Sequence, residues 1–204
     1  KKIAEPYTTL LANLGEYYFA IGDMDEAIHR FRFTSQEIIR LENNPVKLST
    51  VLTNLGLSYR RKEVLDSAFL YYNKALELLE GQNAWNEQTH LLTNIAALYS
   101  NSKRLEEAEA YAWRAIEASQ KCDEVEMMAY TRNVCAAILS LQGKNEEAVQ
   151  VIKPFLAIVR ERQQPRILLG GLTYLLAIYQ KLEKSDSVMH YMKEAETVLT
   201  QLPE

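Results

Sequence analysis

The sequence predicts an all-α fold of five helix–turn–helix units in tandem, and three observations carry that prediction. Glycine and proline are scarce, 7 and 5 among 204 residues, too few for the frequent tight turns of a β-sandwich. A short word, apolar–small–x–x–aromatic, recurs at nearly constant spacing along the chain. Around each recurrence the apolar residues follow a helical period, as in Leu10, Leu11, Leu14, Tyr17, Tyr18 and Ile21, and again in Leu52, Leu55 and Tyr59.

The word reads Leu14-Gly15-x-x-Tyr18, then Leu55-Gly56-x-x-Tyr59, Ile95-Ala96-x-x-Tyr99, the weaker Cys135-Ala136-x-x-Leu139, and Leu175-Leu176-x-x-Tyr179. Nine residues on stand Ala27, Ala68, Ala108, Ala148 and Val188, and four further Phe31, Tyr72, Ala112, Ile152 and Met192. With the first apolar residue of the word as position 7, the copies are 8–48, 49–88, 89–128, 129–168 and 169–204, within a single domain 1–204. Positions 8 and 20 are small in four copies, so the two helices of each pair are expected to approach closely. Leu176 and Val188 break this in the last copy, whose hairpin is expected to be more open. Position 18 is acidic in all five copies (Asp25, Asp66, Glu106, Glu146, Asp186), which suits the positive end of a helix. Breaker clusters at Asn43-Asn44-Pro45, Gly81-Gln82-Asn83, Lys121-Cys122-Asp123 and Gln163-Gln164-Pro165 separate the units. Pro154 falls inside the fourth second helix and is expected to bend it.

This pattern resembles the tetratricopeptide repeat, whose signature is Trp-x2-Leu-Gly-x2-Tyr followed by Ala-x3-Phe, with the period stretched from about 34 to about 40 residues. The extra residues are expected to lengthen the helices and relax the connections. The resemblance implies a right-handed α–α superhelix, a solenoid whose concave wall is lined by the first helix of each pair. It also implies that positions 2, 5, 6, 9, 12 and 13 face a protein or peptide ligand in that groove. Position 6 is Asn13, Asn54 and Asn94 in the first three copies, then Val134 and Tyr174. A carboxamide donates and accepts at once, so such a ladder can hold a peptide backbone. Thr53, Thr93 and Asn133 occupy position 5, Arg60 position 12, and Arg61 and Asn101 position 13. The two arginines either engage a ligand carboxylate or cap the C-terminal end of their own helix. Lysine, which a co-chaperone clamp for acidic C-termini needs at position 5, is missing.

No catalytic, metal or cofactor site is expected. His29, His90 and His190 share no metal-ligand spacing, and there is no Walker loop, Gly-x-Gly-x-x-Gly or Gly-x-Ser-x-Gly. Cys122 and Cys135 read as buried thiols, with a disulfide between them left open. Gly170-Gly171 reads as the opening of a helix, where close packing is favoured over an anion. Trp85 and Trp113 read as packing between repeats. The net charge of −4 advertises no nucleic-acid surface. The uncharged stretch Ile167–Gln180 would span roughly 21 Å as a helix, against about 30 Å for a bilayer core, so no membrane span is expected.

These readings point to a non-catalytic peptide- or protein-binding module. The chain starts at Lys1 and reads as a piece of a longer protein. The phrases Asp66–Ala75 and Ser185–Met192 resemble repeats of Bacteroides-type membrane-anchored regulators, which implies the sensing part of a signalling or transcription-regulatory protein and favours a periplasmic over a cytoplasmic setting. The alternatives are a cytoplasmic peptide-pheromone receptor type of regulator and a passive assembly scaffold. Uncapped repeat ends imply self-association or a neighbouring domain.

Overall fold

A computed structural model describes residues 4–122, 124–200 and 202. Its elements are ten α-helices: α1 (Ala4–Ala20), α2 (Met24–Leu41), α3 (Pro45–Arg61), α4 (Leu65–Leu79), α5 (Trp85–Asn101), α6 (Leu105–Ser119), α7 (Val125–Leu141), α8 (Asn145–Glu161), α9 (Pro165–Lys181) and α10 (Ser185–Leu199). Contacts divide the chain into two units, Lys1–Leu98 and Tyr99–Glu204, with the boundary inside α5. Asp123, part of one breaker cluster, lies outside the described residues. Among the described residues no helix is long and apolar enough to cross a membrane.

Each first helix starts four residues ahead of the repeat word's position 1, so the stretched period goes largely into an added N-terminal turn. Pro45 and Pro165 therefore do not stand between repeats. They are the first residues of α3 and α9, where proline's missing N–H costs nothing and its φ suits the helix. Asn44 caps α3 by accepting from the Lys47 N–H, and Asp23 caps α2 by accepting from the Glu26 N–H, both at 3.1 Å. The position-18 acid is the second residue of every second helix, as expected.

All five turns between first and second helices close in the same way. In the first, Asp23 N–H reaches the Tyr18 carbonyl at 2.9 Å and Gly22 N–H that of Phe19 at 3.3 Å. The pair recurs around residues 63, 103, 143 and 183, the mark of a helix ended by one left-handed residue. That residue is Gly22 and Gly143 in two turns, but Glu63, Lys103 and Glu183, at φ 53–60°, in the others.

In the first unit, α2 and α3 pack on one side of α1 and α4 on α3. Leu10, Tyr17 and Ile21 of the expected apolar stripe are exposed, because that side of α1 has no neighbour among the described residues. Its fully buried residues are Thr8 and Gly15. A built Cβ on Gly15 would meet the Phe31 ring at 2.6 Å, and one on Gly56 the Tyr72 ring at 2.5 Å. The small residues thus seat the position-24 aromatics as well as the opposing alanines. In the second unit, α7–α8, α9–α10 and the contacts α6·α7, α8·α9 and α7·α9 enclose a core of Ile138, Leu139, Ile152, Leu156 and Leu175. Pro154 sits inside α8, which continues as one helix on either side of it. Gly170-Gly171 does not open α9, which begins at Pro165. Gly171 packs against Leu156 and Ile152 of α8, and Gly170 faces open space.

Candidate functional site

The wall positions of the first unit carry the predicted amides at three depths. Asn13 is exposed on α1. Asn54 of α3 is half-buried, and its Nδ2 donates to Glu16 Oε1 of α1 at 3.2 Å. Asn94 of α5 is buried, with Nδ2 donating back to the His90 carbonyl at 3.0 Å. Thr53 and Thr93 are buried too, and their hydroxyls donate to the carbonyls of Ser49 at 2.8 Å and Thr89 at 2.7 Å. This back-bonding to the preceding turn is the ordinary way to satisfy a buried helical hydroxyl.

The two arginines part company. Arg61 is exposed, but its guanidinium lies 3.9 Å from the Phe19 ring centre and Nη1 donates to the Phe19 carbonyl at 3.3 Å. It therefore caps α1, the first helix of the preceding copy, rather than its own helix. Arg60 is half-buried and near His90, a pairing that position numbers did not suggest. Burial, aided by the Arg60 charge, pushes the His90 pKa down, so this imidazole is neutral at pH 7.

In the second unit Asn101 is exposed and Asn133 half-buried. Between α7 and α9 the wall is mostly apolar. An open cleft of about 280 Å³ lies between α7 and α9, lined by Ala137, Leu141, Tyr174, Ala177 and Lys181 among others. Lys181 Nζ donates to Ser140 Oγ at 2.8 Å, and that hydroxyl donates to Asn145 Oδ1 at 2.9 Å. These residues fall at positions 6, 9, 12 and 13. The signal for the cleft was present in the sequence as alanine at position 9 in copies three to five, Ala97, Ala137 and Ala177.

The remaining candidates take structural places. His29 and His190 are exposed, as expected. No disulfide joins Cys122 and Cys135. Both are buried, and burial pushes the Cys135 thiol up to about 12, far from a nucleophile's range.

Two family models, both described as tetratricopeptide repeat, match residues 7–81 and 89–121, together more than half of the chain. No curated protein sequence matches it. Among solved structures, BtubC (BKLC) from P. vanneervenii aligns with a TM-score of 0.81 at 19% identity, over 95% of this chain and 82% of that one. A signal transduction ATPase with numerous domains and a tetratricopeptide repeat sensor, from Pyrococcus horikoshii, aligns with a TM-score of 0.83 at 15% identity, over 96% of this chain and 30% of that one. A Rap protein complexed with competence and sporulation factor aligns with a TM-score of 0.71 at 18% identity, over 91% of this chain and 52% of that one. At these identities the likeness establishes the fold class, an all-α tandem helical repeat, and nothing finer.

Proposed function

This chain belongs to the tetratricopeptide-repeat family, and from that premise we propose that it is a non-catalytic module that holds an extended peptide or protein segment against its first helices. The observation that carries the reading is the pair Asn13 and Asn54, which present carboxamides at the same repeat position on α1 and α3, one exposed and one half-buried. Each can take a peptide C=O and N–H together. In the first unit Thr53, Thr93 and Asn94 are buried and Arg60 is half-buried, while in the second unit Asn101 is exposed and Asn133 half-buried, each unit offering its own polar groups to such a ligand. The apolar cleft beside Tyr174 takes a side chain of the same class of ligand. A sensing role within a bacterial signalling or transcription-regulatory protein is the setting we favour. It is supported by the sensor repeats of the Pyrococcus ATPase and by the Rap protein solved with competence and sporulation factor.

The test is a random-sequence decapeptide library panned on the full chain, followed by titration of a selected peptide into wild type and Asn54→Ala. Loss of one two-point amide contact should weaken binding about tenfold with the melting temperature unchanged. Equal affinity in the two proteins refutes the ladder.

Self-association is a second reading, favoured by Met189, Met192 and Leu199, which α10 leaves about half exposed. A monomer at every concentration in sedimentation velocity rules it out.

A further inference from the structure

The fourth copy departs from its sisters at positions that meet in one place. Position 4 is Leu11, Leu52, Leu92 and Leu172 in the other copies but Arg132 here. Position 27 is Thr34, Ala75, Ala115 and Ala195 elsewhere but Phe155 here. Position 23 is Arg30, Tyr71, Tyr111 and Tyr191 elsewhere but Val151 here. On the preceding second helix, position 25 is Trp113, where the other copies carry Arg32, Asn73, Lys153 and Lys193. These four residues, with Pro154 and Ile158, line one cleft of about 360 Å³ formed by α6, α7 and α8, all within the second unit.

One of these departures, Val151 at position 23, leaves less bulk over the cleft than a tyrosine would. In copies two, three and five the tyrosines at positions 11 and 23 stack, with ring centres 5.5, 5.3 and 5.5 Å apart. In copy four the pair is Leu139 and Val151, and the surface that a tyrosine covers elsewhere is left to a valine. Trp113 stays 44% exposed at the cleft although its sister positions are polar.

Arg132 is the feature that packing alone does not account for. It is half-buried at a position where Leu52, Leu92 and Leu172 are buried in the core. Its guanidinium stands 4.8 Å from the Phe155 ring centre. Nη1 donates to the Met128 carbonyl at 3.2 Å and reaches Ser119 Oγ at 3.5 Å. Among the described residues no carboxylate pairs with it. Burial lowers its pKa, with the Cys135 thiol opposing, yet an arginine remains charged. A cation taken from water without a counter-charge costs stability, and a leucine would fill this position as it does four times elsewhere in the chain. The contacts to Phe155 and Met128 supply no counter-charge, and a local rule broken without full compensation is where a functional position is sought.

We propose that this cleft is a binding site, separate from the wall of first helices, for a small molecule with an apolar body and a single carboxylate. The planar guanidinium takes the carboxylate through its unused N–H donors, and Trp113, Phe155 and Ile158 hold the body. The volume falls in the range of small-ligand sites. Glu147 lines the same cleft, which favours a singly charged ligand over a dianion such as a phosphate monoester.

The test uses the full chain carrying Trp85→Phe, which leaves Trp113 as the sole indole of the 2 in the chain. Octanoate, indole-3-acetate, their neutral amides and octyl phosphate are titrated by Trp113 fluorescence, with calorimetry on the unsubstituted chain as a check. The acids should bind saturably, and the amides and octyl phosphate at least about tenfold more weakly. Arg132→Leu should lose acid binding by about tenfold or more while melting no lower than its parent, and Arg132→Lys should fall between. The proposal is overturned by acids and amides that bind alike, by Arg132→Leu that binds acids as well as its parent, or by no binding of any acid. A peptide ending in a free phenylalanine carboxylate that binds where the small acids do not also overturns it, in favour of a peptide terminus.

Discussion

The hairpins α3–α4 and α9–α10 are one unit of sequence packed in two ways. Both end the first helix with a glutamate in the left-handed conformation, Glu63 at φ 60° and Glu183 at φ 53°. Both stack a tyrosine pair near that turn with nearly parallel rings, Tyr59 on Tyr71 at 5° and Tyr179 on Tyr191 at 8°. They differ at positions 8 and 20. In α3–α4 these are Gly56 and Ala68, both buried, and the Tyr72 ring lies wholly buried against Gly56. In α9–α10 they are Leu176 and Val188, both half-buried, and Met192, the counterpart of Tyr72, is 47% exposed. The turn and the stack set which residues face each other. The size of the residue at position 8 sets how deeply the second helix can seat its side chains.

The most direct way to break this comparison is to add bulk to the tight hairpin. A Cβ on Gly56 would lie 2.5 and 2.6 Å from two Tyr72 ring carbons and 3.3 Å from the Ala68 carbonyl. The ring is fully buried and the carbonyl belongs to α4, so neither yields by a simple rotation. Gly56→Ala should therefore cost about 2–3 kcal/mol in urea unfolding, despite alanine's better helix propensity. A cost below about 0.5 kcal/mol would mean that position 8 does not set the seating depth.

The tight approach at position 8 was legible in the sequence because a repeat supplies its own controls. Gly15, Gly56, Ala96 and Ala136 at one position said that something comes close there. The helix pairs and the acids at the second residue of each second helix were legible for the same reason. Other features depend on neighbours that a pattern does not display. Asn94 continues the position-6 series, yet it is buried and bonded to its own helix. Leu10, Tyr17 and Ile21 have helical spacing, but α1 has no neighbour on that side among the described residues. The left-handed residues at 63, 103 and 183 carry no glycine to announce them. Arg132 was legible in the same way as the position-8 glycines, since leucine stands at position 4 in every copy but one.

A smaller effect sharpens the claim that the two turns are equivalent. A non-glycine residue held at positive φ is strained, and glycine relieves that strain at some cost in unfolded-chain entropy. Glu63→Gly and Glu183→Gly should each stabilise by about 0.5–1 kcal/mol. The two gains should agree, because the closing hydrogen bonds are alike: Val64 to Tyr59 at 3.0 Å and Lys184 to Tyr179 at 3.1 Å. Gains that differ by more than about 0.5 kcal/mol would show that the openness of α9–α10 extends into its turn.

An effect no larger than these isolates the role of close approach from the residue itself. Gly170 and Gly171 are adjacent in the middle of α9, so their backbone costs as helical glycines are the same. A Cβ on Gly170 meets nothing within 4 Å, whereas one on Gly171 runs into the Leu156 side chain of α8. Gly170→Ala should thus gain the propensity term alone, about 0.5–1 kcal/mol. Gly171→Ala must set the same gain against displacement of a buried leucine, whose terminal methyl can rotate where the Tyr72 ring cannot. Its net effect should lie between that of Gly170→Ala and that of Gly56→Ala. The three alanine variants then form a series with the same chemical change and three different neighbours: open space, a flexible methyl and a buried ring. If unfolding free energies fall in that order, contact geometry decides the cost of a side chain at each site. If Gly170→Ala and Gly171→Ala gain equally, α8 and α9 yield to one another more readily than their packing implies.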